Sequence, residues 1–278
     1  MLNYNSSAAL KTFLENENLG MQKKFGQNFL VDTNAKKILV DALIVNNEDE
    51  VWEIGPGLGA MTVLLLEKGI KLKAFEIDKG FIRILKQFFS NNKYFTLIEG
   101  DVMKTWQDQP GAPYLLGNLP YYIAAAFLAD LIEKKRLFSR MVVTVQKEVA
   151  LRMMAKPGSQ DYSSFSVLCS SVYNIKPLVT IRPSSFYPQP NVDSMGVLLE
   201  NKNAASYPDV FYPLVRALFA SRRKTIRNNL SAYLASRENC EEILGENKLN
   251  GNERAETLHL ETFLSLAKSI DYMRLYKK

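Results

Sequence analysis

The sequence predicts an α/β fold with a largely parallel sheet, followed by a small all-helical domain at the C-terminus. Two observations support this prediction. Short β-like runs alternate with helical patterns through the first two thirds of the chain, and after residue 209 the pattern is helical only. Parallel neighbours need long crossover connections, usually helices, so this alternation indicates a sheet that is covered on both faces.

The individual elements follow from the period of the apolar residues. Parallel strands are predicted at residues 50–54, 71–77, 94–99, 113–118 and 140–146, with helices at 60–69, 79–90 and 123–135. Two further runs, 172–181 and 192–200, are separated by a proline-rich segment and predict an antiparallel edge pair. A polar stretch after residue 200 places the boundary near 201–208, with one domain at 1–203 and a second, helical domain at 204–278.

The composition excludes several classes of protein. With only Cys169, Cys240 and His259 available, a disulfide framework or a four-cysteine zinc site is excluded, and we expect no metal. No apolar run approaches the roughly 20 residues of a membrane span. The N-terminus lacks the basic start and apolar stretch of a signal peptide, so we expect a cytoplasmic protein without a membrane partner. No protein partner can be inferred.

Charge is concentrated in one segment. The chain carries 35 basic and 29 acidic residues, for a net charge of +6, which permits an anionic partner without proving one. Between residues 216 and 236 there is no acid, and five cations stand there: Arg216, Arg222, Arg223, Lys224 and Arg227. Such a run forms either a solvated helix face or a surface that contacts phosphates, and both interpretations stay open at this point.

A glycine-rich turn follows the first predicted strand and opens a helix. Gly55, Gly57 and Ala60 satisfy the pattern G-x-G-x-x-G/A, in which backbone amides approach a ligand closely. Glu76 ends the next strand, 21 residues after Gly55, where a carboxylate can accept hydrogen bonds from ribose hydroxyls. This pair of features fits any adenosine-containing cofactor and does not choose between NAD and S-adenosylmethionine.

Two later strand ends carry further polar groups. Asp101 follows the third strand, where a carboxylate can accept from an adenine amine or simply cap a helix. Asn118, Leu119, Pro120 and Tyr121 follow the fourth strand. The Asn118 side-chain oxygen and the Leu119 carbonyl, which precedes a proline, suit the two N–H groups of an aromatic amine, and Tyr121 offers a face on which a base can stack.

The motifs together resemble a known family. In order they are GQNFL (26–30), EIGPGLG (53–59), EID (76–78), GD (100–101), NLPYY (118–122), VQKEV (145–149), SSFYPQPNVDS (184–194) and RRKTIRNNL (222–230). This series is similar to that of bacterial small-subunit ribosomal RNA adenine dimethyltransferases, which are related to the erythromycin-resistance methylases. The resemblance implies a Rossmann-like domain that binds S-adenosylmethionine, releases S-adenosylhomocysteine and carries a helical C-terminal domain.

The resemblance also implies roles for individual residues. Asn28, Leu30 and Gly55 would contact the methionine end of the cofactor, Glu76 the ribose and Asp101 the adenine edge. Asn118 would border both cofactor and target amine, Tyr121 would stack on the flipped adenine, and Phe186 would lie on the opposite face of the base. The remaining implied residues are Gly57, Ile77 and Val102 for the cofactor, Leu119 and Pro120 for catalysis, and Lys23, Lys24, Arg222, Arg223, Lys224 and Arg227 for RNA.

The implied reaction forms N6,N6-dimethyladenosine at two adjacent adenosines in the 3′-terminal hairpin loop of 16S rRNA, within an immature 30S subunit. The chain departs from the family pattern at Tyr122, where an asparagine is usual; we expect an altered pocket rim. Three alternatives remain: methylation of large-subunit RNA, a non-catalytic RNA-binding factor with the same fold, and an NAD-dependent oxidoreductase.

Overall fold

The computed structural model describes residues 2–20, 27–203 and 207–276. The chain divides into two compact units, the first made of Met1–Ala150 and Ile175–Asn201, the second of Leu151–Asn174 and Lys202–Lys278. The second junction lies within two residues of the boundary expected after residue 203. The segment Leu151–Asn174, which the sequence analysis assigned to the first domain, belongs to the second unit because its apolar side chains Tyr162 and Val167 join the core of the C-terminal helices.

The strands and helices of the first unit follow the predicted alternation. The strands are β1 (Phe29–Leu30), β2 (Glu50–Ile54), β3 (Lys71–Glu76), β4 (Phe95–Glu99), β5 (Tyr114–Asn118), β6 (Arg140–Gln146), β7 (Tyr173–Ile181), β8 (Phe186–Tyr187) and β9 (Ser194–Asn201). The helices are α1 (Ser7–Asn16), α2 (Thr33–Asp41), α3 (Ala60–Glu67), α4 (Lys79–Phe89), α5 (Val102–Thr105), α6 (Ala124–Glu133) and α7 (Lys147–Met154), the last continuing into the second unit. The predicted α/β fold is thereby confirmed.

Seven of the strands form one sheet in the order β4-β3-β2-β5-β6-β9-β7. The first five pair in parallel, and β9 runs antiparallel to β6. The chain moves outward from β2 to β4 and then returns to place β5 against the other side of β2. Open α/β sheets bind ligands beyond the carboxyl ends of their strands at such a reversal, so the β2 and β5 ends are where a site is expected.

Aspartates start the helices that follow these strands. Asp78 Oδ1 accepts from the Gly80 N–H at 2.8 Å and caps α4, and Asp101 Oδ1 accepts from the Met103 N–H at 3.0 Å and caps α5. An N-cap side chain satisfies one of the free amides of the first helical turn. Because each aspartate comes two residues after the end of its strand, both helices begin at the carboxyl edge of the sheet.

Helix α1 packs behind the glycine turn, a contact that the sequence analysis did not anticipate. Its buried residues Leu10 and Leu14 share an apolar cluster with Leu58 of the turn and Phe29 of β1. Burial of a leucine side chain contributes about 1.5–3 kcal/mol, so this cluster stabilises the position of the turn.

The second unit is helical apart from the start of β7, in the part of it that the structure describes. Its helices are α8 (Ser164–Val172), α9 (Phe211–Phe219), α10 (Ile226–Leu234), α11 (Arg237–Glu246) and α12 (Leu260–Tyr276). They surround one apolar core that includes Phe211, Leu214, Leu230 and Phe263. Both cysteines are free and buried. Within the described ranges, none of the helices has the length and apolar character needed to traverse a bilayer.

A buried carboxyl group lies inside the first unit. Glu53, in β2, is 0% exposed; its Oε2 accepts from the Thr62 hydroxyl at 2.7 Å and its Oε1 has no hydrogen-bond partner. Burial raises the pKa of Glu53 to about 7, helped by the nearby charge of Glu76 and opposed by the Thr62 hydrogen bond. The folded pKa lies above the ordinary value of 4.5. Folding therefore carries a free-energy cost when Glu53 is ionised in the unfolded chain. This cost grows as the pH rises from 4.5 to about 7 and is constant above that.

We expect Glu53→Gln to stabilise the protein more at pH 8.5 than at pH 5, by about 2–3 kcal/mol, because glutamine keeps an acceptor for Thr62 and carries no charge. Urea unfolding at the two pH values measures this difference. Glu50→Gln, an exposed position in the same strand, is the matched control and should show no such pH dependence. An equal stability change of Glu53→Gln at both pH values would contradict the assignment of a raised pKa.

Candidate functional site

A cleft lies at the carboxyl edge of the sheet, at the reversal between β2 and β5. Five stretches of the first unit line it: the start of β1, the glycine turn with the first residues of α3, the ends of β3 and β4, and the corner after β5. Its lining includes Asn28, Leu30, Gly55, Gly57, Glu76, Ile77, Asp101, Val102, Asn118, Leu119, Pro120, Tyr121 and Tyr122. The structure therefore brings together every residue that was predicted to bind the cofactor, and four of the five predicted catalytic residues.

The glycine turn approaches the corner after β5 closely. Gly55 has φ of +70°, and a Cβ built on it would lie 3.3 Å from the Asn118 carbonyl oxygen. The Gly55 N–H donates to the Phe75 carbonyl at 3.0 Å, which ties the turn to the end of β3 as well. A side chain at this position would be strained in its backbone and would press on the corner. Glycine at residue 55 thus permits the turn and the corner to share one cleft.

Glu76 is buried, and backbone amides surround its carboxylate. Oε1 accepts from the N–H groups of Ile77 and Asp78, each at 2.9 Å, and Oε2 accepts from the Gly57 N–H at 3.0 Å. Burial raises the pKa of Glu76 to about 7, and the three amides act in the opposite direction because they favour the charged form. A carboxylate has about four lone-pair sites, so roughly one stays available to a ligand hydroxyl.

Asp101 lines the same cleft while it caps α5. The two interpretations considered from sequence, a helix cap and a ligand contact, are therefore compatible at this residue. Tyr122 stands on the rim with 59% of its surface exposed. Its pKa is raised, first by partial burial and then by the negative charges of Asp101 and Glu76, and this residue, which departs from the family pattern, lines the same cleft as both carboxylates.

Hydrogen bonds fix the corner after β5. Asn118 Nδ2 donates to the Asn28 carbonyl at 3.0 Å, and the Leu119 N–H donates to the Thr144 carbonyl at 3.2 Å. The first bond uses the donor end of the amide and leaves Oδ1 as its acceptor end. The Ile123 N–H, which a regular helix would direct to the Leu119 carbonyl, donates instead to Pro120 at 3.0 Å. The predicted role of Asn118 Oδ1 and the Leu119 carbonyl as acceptors for an aromatic amine stays a prediction, and the Ile123 N–H leaves the Leu119 carbonyl without that helical donor.

The two predicted stacking residues differ in their placement. Tyr121 is half-buried in the cleft wall, and its hydroxyl lies 2.6 Å from Ser194 Oγ. Phe186 is not among the lining residues. It pairs with Leu30 between β8 and β1 and is 1% exposed, in the apolar core beneath the cleft. A role for Phe186 in stacking stays a prediction, and in this structure its ring packs against apolar neighbours.

The predicted RNA-contacting cations lie in different surroundings. Lys23 and Lys24 fall outside the described residues. In the second unit, Arg222 donates to the Gln160 carbonyl at 3.0 Å. Arg227 Nε lies 3.2 Å from Glu241, and Arg227 also donates to the Asn250 carbonyl at 2.6 Å. These two arginines hold the unit together, whereas Arg223 and Lys224 project from an exposed turn between α9 and α10.

Sequence reasoning missed several contacts that shape the cleft. Gln27 Nε2 donates to Asp78 Oδ2 at 2.8 Å, which connects the segment before β1 to the cap of α4. The Asn28 carbonyl anchors Asn118, and Ser194 anchors Tyr121. All three contacts join residues more than 50 positions apart, so no local pattern could indicate them. The only signal was that Gln27, Asn28 and Ser194 lie inside motifs already quoted.

Comparison with known proteins agrees with this geometry. A family model described as ribosomal RNA adenine dimethylase matches residues 18–272. A small-subunit ribosomal RNA methyltransferase A of Treponema denticola is 48% identical and is aligned over 98% of this chain and 97% of that relative. The protein of the same name from Borreliella afzelii is 36% identical, over 97% of this chain and 95% of the relative.

Solved structures show the same fold. A dimethyladenosine transferase from Plasmodium falciparum superposes with a TM-score of 0.76 at 25% identity, covering 87% of this chain and 96% of that one. A 23S rRNA methyltransferase, ErmE, superposes with a TM-score of 0.65 at 20% identity, covering 87% and 99%. The Rossmann-like methyltransferase fold is therefore shared with both. Because the family model and the relatives span nearly the whole chain, the chain belongs to the ribosomal RNA adenine dimethylase family.

Proposed function

We propose that this chain transfers methyl groups from S-adenosylmethionine to N6 of two adjacent adenosines in the 3′-terminal hairpin loop of 16S rRNA. The products are N6,N6-dimethyladenosine and S-adenosylhomocysteine. The substrate is the RNA within an immature 30S subunit, which places the protein in the cytoplasm, where ribosomes are assembled.

One observation carries the proposal: a single cleft holds both the features that suit an adenosine cofactor and the corner that suits an aromatic amine. The glycine turn, Glu76 and Asp101 form one part of its wall, and Asn118 to Tyr121 form the adjoining part. The close approach of Gly55 to the Asn118 carbonyl oxygen, 3.3 Å for a built Cβ, joins the two parts.

Several features of the wall suit S-adenosylmethionine. Gly55 and Gly57 both have positive φ, which opens the backbone of the turn toward a ligand. Glu76 keeps about one acceptor site for a ribose hydroxyl, and Asp101 lies beside Val102 where an adenine edge would be held. The Glu76 carboxyl lies in the wall of the cleft, and a positively charged ligand nearby would favour its ionised form. When bound, this cofactor supplies an electrophilic methyl carbon on its sulfonium.

The corner holds the target amine for attack. The lone pair of an adenine amine is delocalised into the ring, so the nitrogen must be oriented before it can react. Asn118 Oδ1 and the Leu119 carbonyl accept its N–H groups, and Tyr121 stacks on the base; base stacking on an aromatic contributes about 1–3 kcal/mol. A hairpin loop offers bases that cost less to unstack than paired ones. The exposed Arg223 and Lys224 contact phosphates and so contribute affinity without reading sequence.

The reaction is tested by methyl transfer from labelled S-adenosylmethionine to immature 30S particles, 50S particles and free 23S RNA. We expect label in 16S rRNA alone, recovered as N6,N6-dimethyladenosine by mass spectrometry of the nucleosides. Cells that lack the protein should lack this nucleoside in 16S rRNA. Label confined to 23S RNA would assign the chain to the large subunit, and binding of particles without any label would identify a non-catalytic factor.

Asn118→Ala should lower the turnover rate at least 100-fold, on the order of the loss that follows removal of one preorganised hydrogen-bonding group from an active site. We expect cofactor affinity, measured by calorimetry, to change only modestly, because Glu76 and Asp101 remain. The matched control is Asn92→Ala, an asparagine in a turn before β4 of the same unit, which should keep normal turnover. Wild-type methylation by Asn118→Ala would remove the proposed mechanism.

Replacement of Arg223 and Lys224 together by alanine should weaken RNA association. It should also reduce the magnitude of the slope of log affinity against log salt by about 1–2, because fewer counterions are released on binding when phosphate contacts are lost. Filter binding between about 50 and 200 mM salt measures this slope. Arg254→Ala with Lys268→Ala removes the same charge from exposed positions of the same unit and serves as the control. An equal loss in both double variants would indicate a general charge effect and no specific contact surface.

A further inference from the structure

The hydroxyl of Tyr121 is held by Ser194, a residue that does not itself line the cleft. Tyr121 Oη and Ser194 Oγ lie 2.6 Å apart, and either can be the donor. Ser194 is 0% exposed, so no water competes for its hydroxyl. Partial burial raises the pKa of Tyr121, and the bond to Ser194 opposes this shift. The phenol is therefore protonated at neutral pH and the contact is an ordinary hydrogen bond between two neutral hydroxyls.

The bond crosses the sheet. Tyr121 follows β5, whereas Ser194 begins β9, and the two residues are 73 positions apart. Strand β6 lies between β5 and β9. Tyr121 itself precedes α6, which begins at Ala124, so its backbone belongs to a turn. The contact to β9 therefore fixes the hydroxyl end of a side chain whose backbone lies in a turn.

The anchor is itself fixed. Ser194 pairs with Gln146 at the end of β6. Next to this pair, the Lys147 N–H donates to the Asp193 carbonyl at 3.0 Å, and Lys147 Nζ lies 3.8 Å from Asp193 Oδ2. The main chain on both sides of this point is thus joined between β6 and β9. A hydroxyl on such a rigid strand can define the position of the far end of the Tyr121 ring.

We propose that Ser194 is a positioning residue for the methyl-transfer reaction, which orients the Tyr121 ring so that its face is ready to stack on the target base. This inference rests on the proposed function, in which Tyr121 stacks on the adenine. Ser194 acts through Tyr121 and does not touch the substrate. Loss of Ser194 should therefore lower kcat and leave the affinity for RNA nearly unchanged, because that affinity comes mainly from phosphate contacts elsewhere.

A double-mutant cycle of Ser194→Ala, Tyr121→Phe and the double variant tests this inference on 30S particles. Each single variant should lower kcat roughly tenfold, because the ring loses the bond that fixes its orientation, and a tenfold loss corresponds to the free energy of about one hydrogen bond. The double variant should be no slower than the slower single variant, because both changes remove the same bond. The KM for RNA and the affinity for the cofactor should each stay within about twofold of the wild-type values. The midpoint of thermal unfolding should change by no more than about a few degrees.

Ser171→Ala is the matched control, because Ser171 is also buried and donates one hydrogen bond, to the Leu168 carbonyl, in the second unit. It should leave kcat unchanged. Wild-type kcat for Ser194→Ala, or fully multiplicative losses in the double variant, would overturn the inference while the methyltransferase activity stands. A fall in kcat that only accompanies a lower unfolding midpoint would show a structural role and also overturn it. An inactive wild-type protein would instead refute the proposed function, and the inference with it.

Discussion

The close contact between the glycine turn after β2 and the corner after β5 is the constraint on which the site depends. A Cβ at Gly55 would lie 3.3 Å from the Asn118 carbonyl oxygen, and the residue has φ of +70°. A non-glycine residue in that left-handed conformation costs about 1–2 kcal/mol before any contact is considered. The strand order makes the contact possible, since β2 and β5 are neighbours although they are separated by two complete strand-helix units.

The same arrangement places two carboxyl groups in a buried region. Glu53 lies two residues before Gly55, where the glycine turn begins, and Glu76 accepts a hydrogen bond from Gly57 of that turn. Burial raises the pKa of each carboxyl to about 7. Three backbone amides compensate Glu76, whereas Glu53 has one hydroxyl partner and an unpartnered oxygen. On the proposed function, a cationic cofactor offsets part of this cost, so the carboxyls disfavour the empty cleft relative to the occupied one.

The sequence was sufficient for the strands of the parallel sheet, because they depend on local patterns, whereas cleft residues such as Asn28 and Leu30 were indicated only by the family resemblance. Each predicted strand of the parallel sheet appears within about one residue of its expected bounds, since apolar runs flanked by turn formers leave little choice of register. The glycine turn and the corner after β5 were visible for the same reason. The assignment of Leu151–Asn174 to the second unit could not be predicted from local patterns. It depends on the burial of Tyr162 and Val167 in the core of that unit, which is a tertiary contact.

The cationic segment shows a second limit of sequence reasoning. Composition treats Arg222, Arg223, Lys224 and Arg227 alike, yet two of them bind carbonyls or a carboxylate of their own unit. A guanidinium carries five donors in a fixed fork and is suited to such structural contacts as well as to phosphate. Only the three-dimensional surroundings separate the two uses, and the same holds for Phe186, whose burial depends on the pairing of β1 with β8.

On the proposed function, the corner contributes by positioning the target amine, and no general base is assigned to Glu76, Tyr121 or Tyr122, the cleft residues whose pKa is raised. Among the described residues that line the cleft, the titratable side chains are Glu76, Asp101, Tyr121 and Tyr122, and the first two are held by backbone amides. The corner is instead fixed from outside at three points: Asn118 by Asn28, Leu119 by Thr144 and Tyr121 by Ser194. Positioning of two reactants can supply about 7–11 kcal/mol of rate acceleration. Transfer of a methyl group that is already activated by a sulfonium depends mainly on such positioning. The three anchors come from three different parts of the chain and together make the corner rigid.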